Sequence, residues 1–213
     1  ATLRRQRQMC IRDRNRWPST PILSTIDVDG AEMVSIEDLT TSAIQDRLRS
    51  IDRKQGAREV LRRLEAESAS KVLIVCHDNP DPDALASALA MKHLCDSMGH
   101  TSTIIHGGMI EHQQNRAMVK LLNMEVRKLI LDWEIEDLLK ESDVVICVDF
   151  SHPGANNVLP ENCVPHIVID HHPSEERPAG DVILVRSEFA ATSSLIASVL
   201  MNSGVEMNSE IAT

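Results

Sequence analysis

A chain of 213 residues, 42% of them hydrophobic, can bury a sizeable core and fits one domain, or one domain plus part of another. Its net charge of −10 is unevenly placed: residues 1–16 carry six arginines against one aspartate, which leaves −15 on the rest, a poor surface for wrapping long duplex nucleic acid. No apolar run approaches the roughly 20 residues of a membrane span, and the arginine-rich start lacks the apolar stretch of a secretory signal, so the expected compartment is the cytoplasm. Five cysteines (Cys10, Cys76, Cys95, Cys147 and Cys163) with no close CxxC pair indicate neither a disulfide framework nor a zinc ribbon; Cys76 and Cys147, inside apolar runs, read as small buried hydrophobes.

Residues 1–30 show no sustained periodicity and read as an unstructured or artefactual leader. The competing reading, a basic nucleic-acid arm, is disfavoured because its aromatic and basic residues do not interleave. Residues 31–69 read as a helical lead-in of two helices, SIEDLTTSAIQDRLRSI with a capping signal at Ser35 and Asp38, then REVLRRLEAES. From residue 70 short apolar runs alternate with helical spacing. KVLIVC (71–76), TSTIIH (101–106), DVVICVD (143–149), HIVID (166–170) and DVILV (181–185) are the predicted buried strands. ALASALAMKHLCDSMG, HQQNRAMVKLLN, IEDLLKES and ATSSLIASVLMNSG are the predicted helices, with Gly99 and Gly204 where C-caps fall. The alternation predicts an α/β fold, a mainly parallel sheet with helices on both faces.

Three polar clusters follow directly on three of these runs: His77-Asp78-Asn79-Pro80-Asp81-Pro82-Asp83, then Asp149, then Asp170-His171-His172. In an open α/β sheet ligands bind at the carboxyl ends of the strands, so the clusters are expected to converge. Carboxylates and imidazoles gathered this closely need a positive partner, and a divalent cation supplies one. Oxygen ligands with a few imidazoles and no thiolate suit manganese, magnesium or iron better than structural zinc. Asp81 and Asp83, one residue apart, can address different ions, while Asp149 can place one oxygen on each. Two metals ~3.5–4 Å apart can hold a hydroxide between them and neutralise charge building on phosphorus.

HDNPDPDA, VDF and IDHHP resemble the first three signatures of the DHH phosphoesterase superfamily, and FAATSSLIAS (189–198) is similar to the helix that follows them there, so the likeness covers about residues 71–200. The resemblance implies two manganese ions, one held by His77, Asp81 and Asp149, the other by Asp83, Asp149 and His171. It implies that His172 contacts substrate phosphate and that Asp170 orients the histidines by accepting a ring N–H. Asn115 and Arg116 resemble an Asn-Arg pair of the nanoRNase-like branch in which arginine, with its planar fork, approaches substrate phosphate; a solvated arginine on an exposed helix face is the plainer alternative. The implied activity is hydrolysis of short oligoribonucleotides, pAp or cyclic dinucleotides. A family II-like pyrophosphatase shares the metal signatures, and a nucleotide-binding module without catalysis is the non-enzymatic alternative.

The resemblance also implies a further metal-binding aspartate and a separate C-terminal substrate domain beyond Thr213, so residues 70–213 read as an incomplete metal-binding domain. It leaves a homodimer of the full-length protein open. His93, His100, His106, His112 and His166 carry no expected role, and His152 is expected to be an exposed loop histidine. Asp78 and Asn79 are expected to shape their loop, and Met109 and Met118 to fill gaps in the core.

Overall fold

The computed structural model describes residues 36–212, so the leader and the expected cap at Ser35 lie outside the described residues. The first element, α1 (Ile36–Glu65), is one continuous helix where the pattern suggested two. Gly56 lies between the two expected segments, but a glycine inside a helix costs only about 1 kcal/mol. Burial of Ala57, Val60, Leu61 and Leu64 in the next turns outweighs that cost, since a large apolar side chain contributes roughly 1.5–3 kcal/mol when fully buried. Residues 50–213, which include this half of the helix, form one compact unit.

The remaining elements in chain order are β1 (Lys71–Cys76), α2 (Pro82–Ser97), β2 (Thr101–His106), α3 (Gln113–Leu121), β3 (Val126–Lys128), α4 (Asp132–Glu141), β4 (Val144–Val148), β5 (Ile167–Asp170), β6 (Val182–Val185) and α5 (Thr192–Ser203). The five predicted strands all form. β3 is the addition, three residues reading Val-Arg-Lys, too short and too polar to register as an apolar run. The expected helix exits carry left-handed backbone angles, φ 89° at Gly99 and 76° at Gly204.

All six strands are parallel, in the order β3-β2-β1-β4-β5-β6. A parallel sheet buried on both faces needs apolar residues at every position, and alternate residues divide between two cores. Val72, Ile74, Val144, Ile146, Ile167 and Ile169 face a core shared with α1, α2 and α5. Leu73, Val75, Val145, Cys147 and Val168 face a second core, closed by Leu129, by Ile135 of α4, and by Phe150 and Leu159 of the loop after β4. Among the described residues no helix is long and apolar enough to cross a membrane.

The strand order positions the site. From β1 the chain moves outward to β2 and β3, then returns to the other side of β1 for β4, β5 and β6. The loops leaving β1 and β4 therefore part in opposite directions and open a crevice at their carboxyl ends, the place where such sheets bind ligands. Cys76 pairs with Val148, and Val148 with Ile169, so His77, Asp149 and Asp170 emerge at one level.

Candidate metal centre

The loop after β1 supplies the first cluster. Asp81 caps α2, with its Oδ1 accepting from the Ala84 N–H at 2.9 Å, and Pro82 takes the first helical position, where a missing N–H costs nothing. The imidazole of His77 donates from Nδ1 to the Asp78 carbonyl at 2.8 Å, a tautomer that leaves Nε2 for the cleft. Three tethers hold this loop to its neighbours. Asn79, at φ 53°, accepts from the Met109 N–H at 2.7 Å; the Asp78 N–H donates to the Asn156 carbonyl at 2.7 Å; and the buried Asn115 amide donates to the Pro80 carbonyl at 3.1 Å.

Asp149 leaves β4 at φ 65° and is only 2% exposed. Its two oxygens look opposite ways. Oδ2 lies 3.5 Å from His77 Nε2, and Oδ1 lies 3.7 Å from His171 Nε2 and accepts from the Thr192 hydroxyl at 2.7 Å. The Asp149 carboxylate holds the His77 imidazole above its usual range, against the opposing effect of burial. Cys76, next to His77, donates to the Ala84 carbonyl, and burial pushes its thiol up, so it stays a neutral thiol at the foot of the site.

The end of β5 supplies the histidines. Buried Asp170 accepts from both the backbone N–H and Nδ1 of His172, at 3.1 and 2.8 Å, which orients that ring from two points. The His171 ring bonds through Nδ1 to the Phe189 carbonyl at 3.2 Å and is tilted against His172 with centroids 4.3 Å apart. Each of the three histidines is thus held at Nδ1 by an oxygen. Asp83 approaches His171 Nε2 to 3.7 Å, but both its oxygens also accept N–H groups at the start of α5, from Thr192 at 2.7 Å and Ser193 at 2.9 Å.

All seven residues of the two clusters and Asp149 that were singled out for chemistry therefore meet in one cleft. Asn115 and Arg116 part company: Asn115 points into the fold and holds the Pro80 carbonyl, whereas Arg116 is exposed on the first turn of α3. Two expectations are corrected. Met109 is 55% exposed instead of filling the core, because Asn79 claims its N–H and keeps its backbone in the surface loop. His152 is half-buried, its Nε2 enclosed and its Nδ1 3.0 Å from the Ser151 hydroxyl, because Phe150 and Leu159 draw the loop after β4 onto the second core. Thr192 and Ser193 were not expected. Their only trace in the sequence is a small polar pair opening a helix, which ordinarily reads as a cap.

The donors fit a divalent cation. Among the described residues two groups bring their ligand atoms within 4.8 Å of one another, His77 with Asp81 and Asp149, and Asp149 with His171 and His172. A carboxylate as buried as Asp149 calls for a positive neighbour, and the groups around it offer oxygen and imidazole nitrogen without thiolate, a set suited to manganese or magnesium.

The sequence pattern of the DHH family, N-terminal domain, matches residues 71–213. The chain is 35% identical over 155 residues to an uncharacterized protein of Methanocaldococcus jannaschii, covering 72% of this chain and 30% of that one. It is 30% identical over 144 residues to a probable manganese-dependent inorganic pyrophosphatase of Bacillus licheniformis, covering 67% and 45%. The crystal structure of an exopolyphosphatase-related protein from Bacteroides fragilis shares the fold, with a TM-score of 0.55 at 21% identity over 70% of this chain and 44% of that one. This chain spans less than half the length of each of these three proteins. With the family pattern running from the first residue of β1 through all three clusters, the chain belongs to the DHH family.

Proposed function

We propose that this chain is the metal-binding part of a phosphoesterase that hydrolyses small phosphate substrates with two manganese ions. The carrying observation is the division of Asp149, whose Oδ2 faces His77 and whose Oδ1 faces His171, so that one buried carboxylate serves two donor groups. His77, Asp81 and Asp149 would hold one ion, and Asp83, Asp149 and His171 the other. Bound there, the ions acidify water and neutralise charge that builds on phosphorus.

The chain's own residues bind and orient around that centre. His172, with a side chain 56% exposed and Nδ1 bound to Asp170, offers Nε2 to a phosphate oxygen, and Asp170 acts through it as a positioning residue. Arg116 offers a guanidinium fork to a substrate phosphate, while Asn115 supports the metal loop from behind. The acidic body disfavours long duplex nucleic acid and leaves short anions as the substrate class. The resemblance of Asn115-Arg116 to the pair of the nanoRNase-like branch favours a nucleotide, namely pAp, a short oligoribonucleotide or a cyclic dinucleotide. Inorganic pyrophosphate is the second reading, favoured by the name of the Bacillus licheniformis relative.

The test is a parallel assay of residues 1–213, and of any longer chain that the gene encodes, on pAp, a short RNA, a cyclic dinucleotide and pyrophosphate. Hydrolysis is expected to require manganese, to stop with EDTA and to return on adding manganese. Undiminished turnover after EDTA and desalting would sink the proposal, and cleavage of pyrophosphate alone would select the second reading.

A further inference from the structure

Residues Phe189–Ser193, none of them a ligand in the two-ion reading, touch each side chain that this reading assigns to one of its ions. His171 Nε2 lies 3.7 Å from both Asp83 Oδ2 and Asp149 Oδ1, so these three side chains form that end. The Phe189 carbonyl holds His171 Nδ1 at 3.2 Å. The Thr192 hydroxyl donates to Asp149 Oδ1 at 2.7 Å, and the N–H groups of Thr192 and Ser193 donate to the two oxygens of Asp83 at 2.7 and 2.9 Å. At the other end the holding bonds are local: His77 is fixed by the Asp78 carbonyl, and Asp81 by the Ala84 N–H.

The chemistry of α5 explains why its first turn takes this task. Its N-cap, Ala191, has no side-chain acceptor, so the first N–H groups of the helix need oxygens from elsewhere, and Asp83, 109 residues earlier than Thr192, provides both. Thr192 is 0% exposed and its hydroxyl has one proton, which goes to Asp149 and turns that carboxylate so that its other oxygen meets His77. One residue thus acts on two ligand carboxylates, through its backbone on one and its side chain on the other.

We infer that Thr192 is a positioning residue for the cation held by Asp83, Asp149 and His171, and that the first turn of α5 is the support on which that end of the site is assembled. The inference rests on the two-ion reading proposed above. Partners that orient metal ligands in this way are worth about 10- to 100-fold in metal affinity, although they never touch the ion.

The test is titration of residues 1–213 with manganese, following free Mn2+ by electron paramagnetic resonance, beside melting curves recorded in EDTA. Thr192→Val keeps the side-chain shape and puts a methyl in place of the hydroxyl; it is expected to fold, and of its two manganese ions to bind one about 10- to 100-fold more weakly. Thr192→Ser restores the hydroxyl and is expected to bind as the unaltered chain does. If Thr192→Val fails to fold, Thr192→Ala, which asks for less room, makes the same comparison. Binding by Thr192→Val as tight as that of the unaltered chain overturns the inference alone. Loss of affinity in Thr192→Ser equal to that in Thr192→Val also overturns it, since a hydroxyl at that position would then fail to restore the site. An unaltered chain that binds no manganese removes the two-ion reading itself.

Discussion

Asp149 joins an almost fully buried carboxylate to a left-handed backbone angle of 65°, a conformation that aspartate and asparagine tolerate better than other side chains. Asp149→Asn keeps the backbone preference and the shape while removing the charge. In EDTA it is expected to melt no lower than the unaltered chain, because a buried negative charge disappears, and manganese no longer raises its melting temperature. The unaltered chain should gain about 2.7 kcal/mol at a hundredfold excess of metal over Kd. Asp149→Ala should melt lower, since alanine disfavours this φ and the Thr192 hydroxyl loses its acceptor, a cost of about 1–3 kcal/mol. Thermal melts with and without manganese decide this, and a normal manganese shift in Asp149→Asn would remove Asp149 from the ligands.

At the scale of elements, the metal loop is held from the side by α3 and by the turn after β2. Asn115→Ala would strip the buried Pro80 carbonyl of its donor, at about 1–3 kcal/mol, and is expected to lower both stability and manganese affinity. Arg116→Ala, at an exposed position, should change stability by less than about 0.5 kcal/mol and leave manganese affinity intact while raising KM for a phosphate substrate. A variant pair that showed the reverse pattern would exchange the two roles. Gly108 sits at φ 58° with Asn79 against it; an added Cβ would fall 2.8 Å from the Asn79 backbone nitrogen. Gly108→Ala is therefore expected to cost about 1–3 kcal/mol in chemical denaturation, and stability equal to the unaltered chain would show that the loop can yield.

Across the whole molecule, histidines link stability to pH in opposing ways. Burial holds His166 below its usual range, with Arg63 adding to the effect, and burial does the same to His106. The neutral form of His166 is also the one whose Nδ1 accepts the Val145 N–H at 3.0 Å. Unfolded imidazoles titrate near ~6.5, so the unfolded chain takes up protons first. The stability linked to a neutral His166 is fully present above that pH and is lost as pH falls from there through the folded value. His77 runs the other way, its contribution being present below ~6.5 and lost as pH rises through its raised value. His166→Asn, which can still accept the Val145 N–H, isolates one term: its loss of unfolding free energy between pH 8 and pH 5.5 should be smaller than that of the unaltered chain. Equal losses in urea denaturation would show that His166 titrates alike in both states.

The site was legible in the sequence wherever its residues were crowded together. HDNPDPD and DHH stand out because buried strands run apolar to their last residue and the chemistry begins at the next one, and the same contrast placed five of the six strands. The three-residue edge strand β3 and the continuity of α1 through Gly56 escaped it, because each depends on neighbours that stabilise a weak local preference. Of the supports of the site, Asp170 and the loop residues Asp78 and Asn79 were legible because they lie inside the crowded clusters, and the more distant ones were not. Asn115 was singled out beside Arg116 for substrate but holds the Pro80 carbonyl instead, while Phe189 and Thr192 are ordinary residues in ordinary turn or helical contexts; each of the three acquires its task from a partner at least 18 positions away. By itself the sequence determined which residues bear the chemistry and at which strand ends, through composition and period. Only the tertiary structure decided which of them face one another and what holds them, because that follows from the strand order and from hydrogen bonds between segments whose separation along the chain carries no local signal.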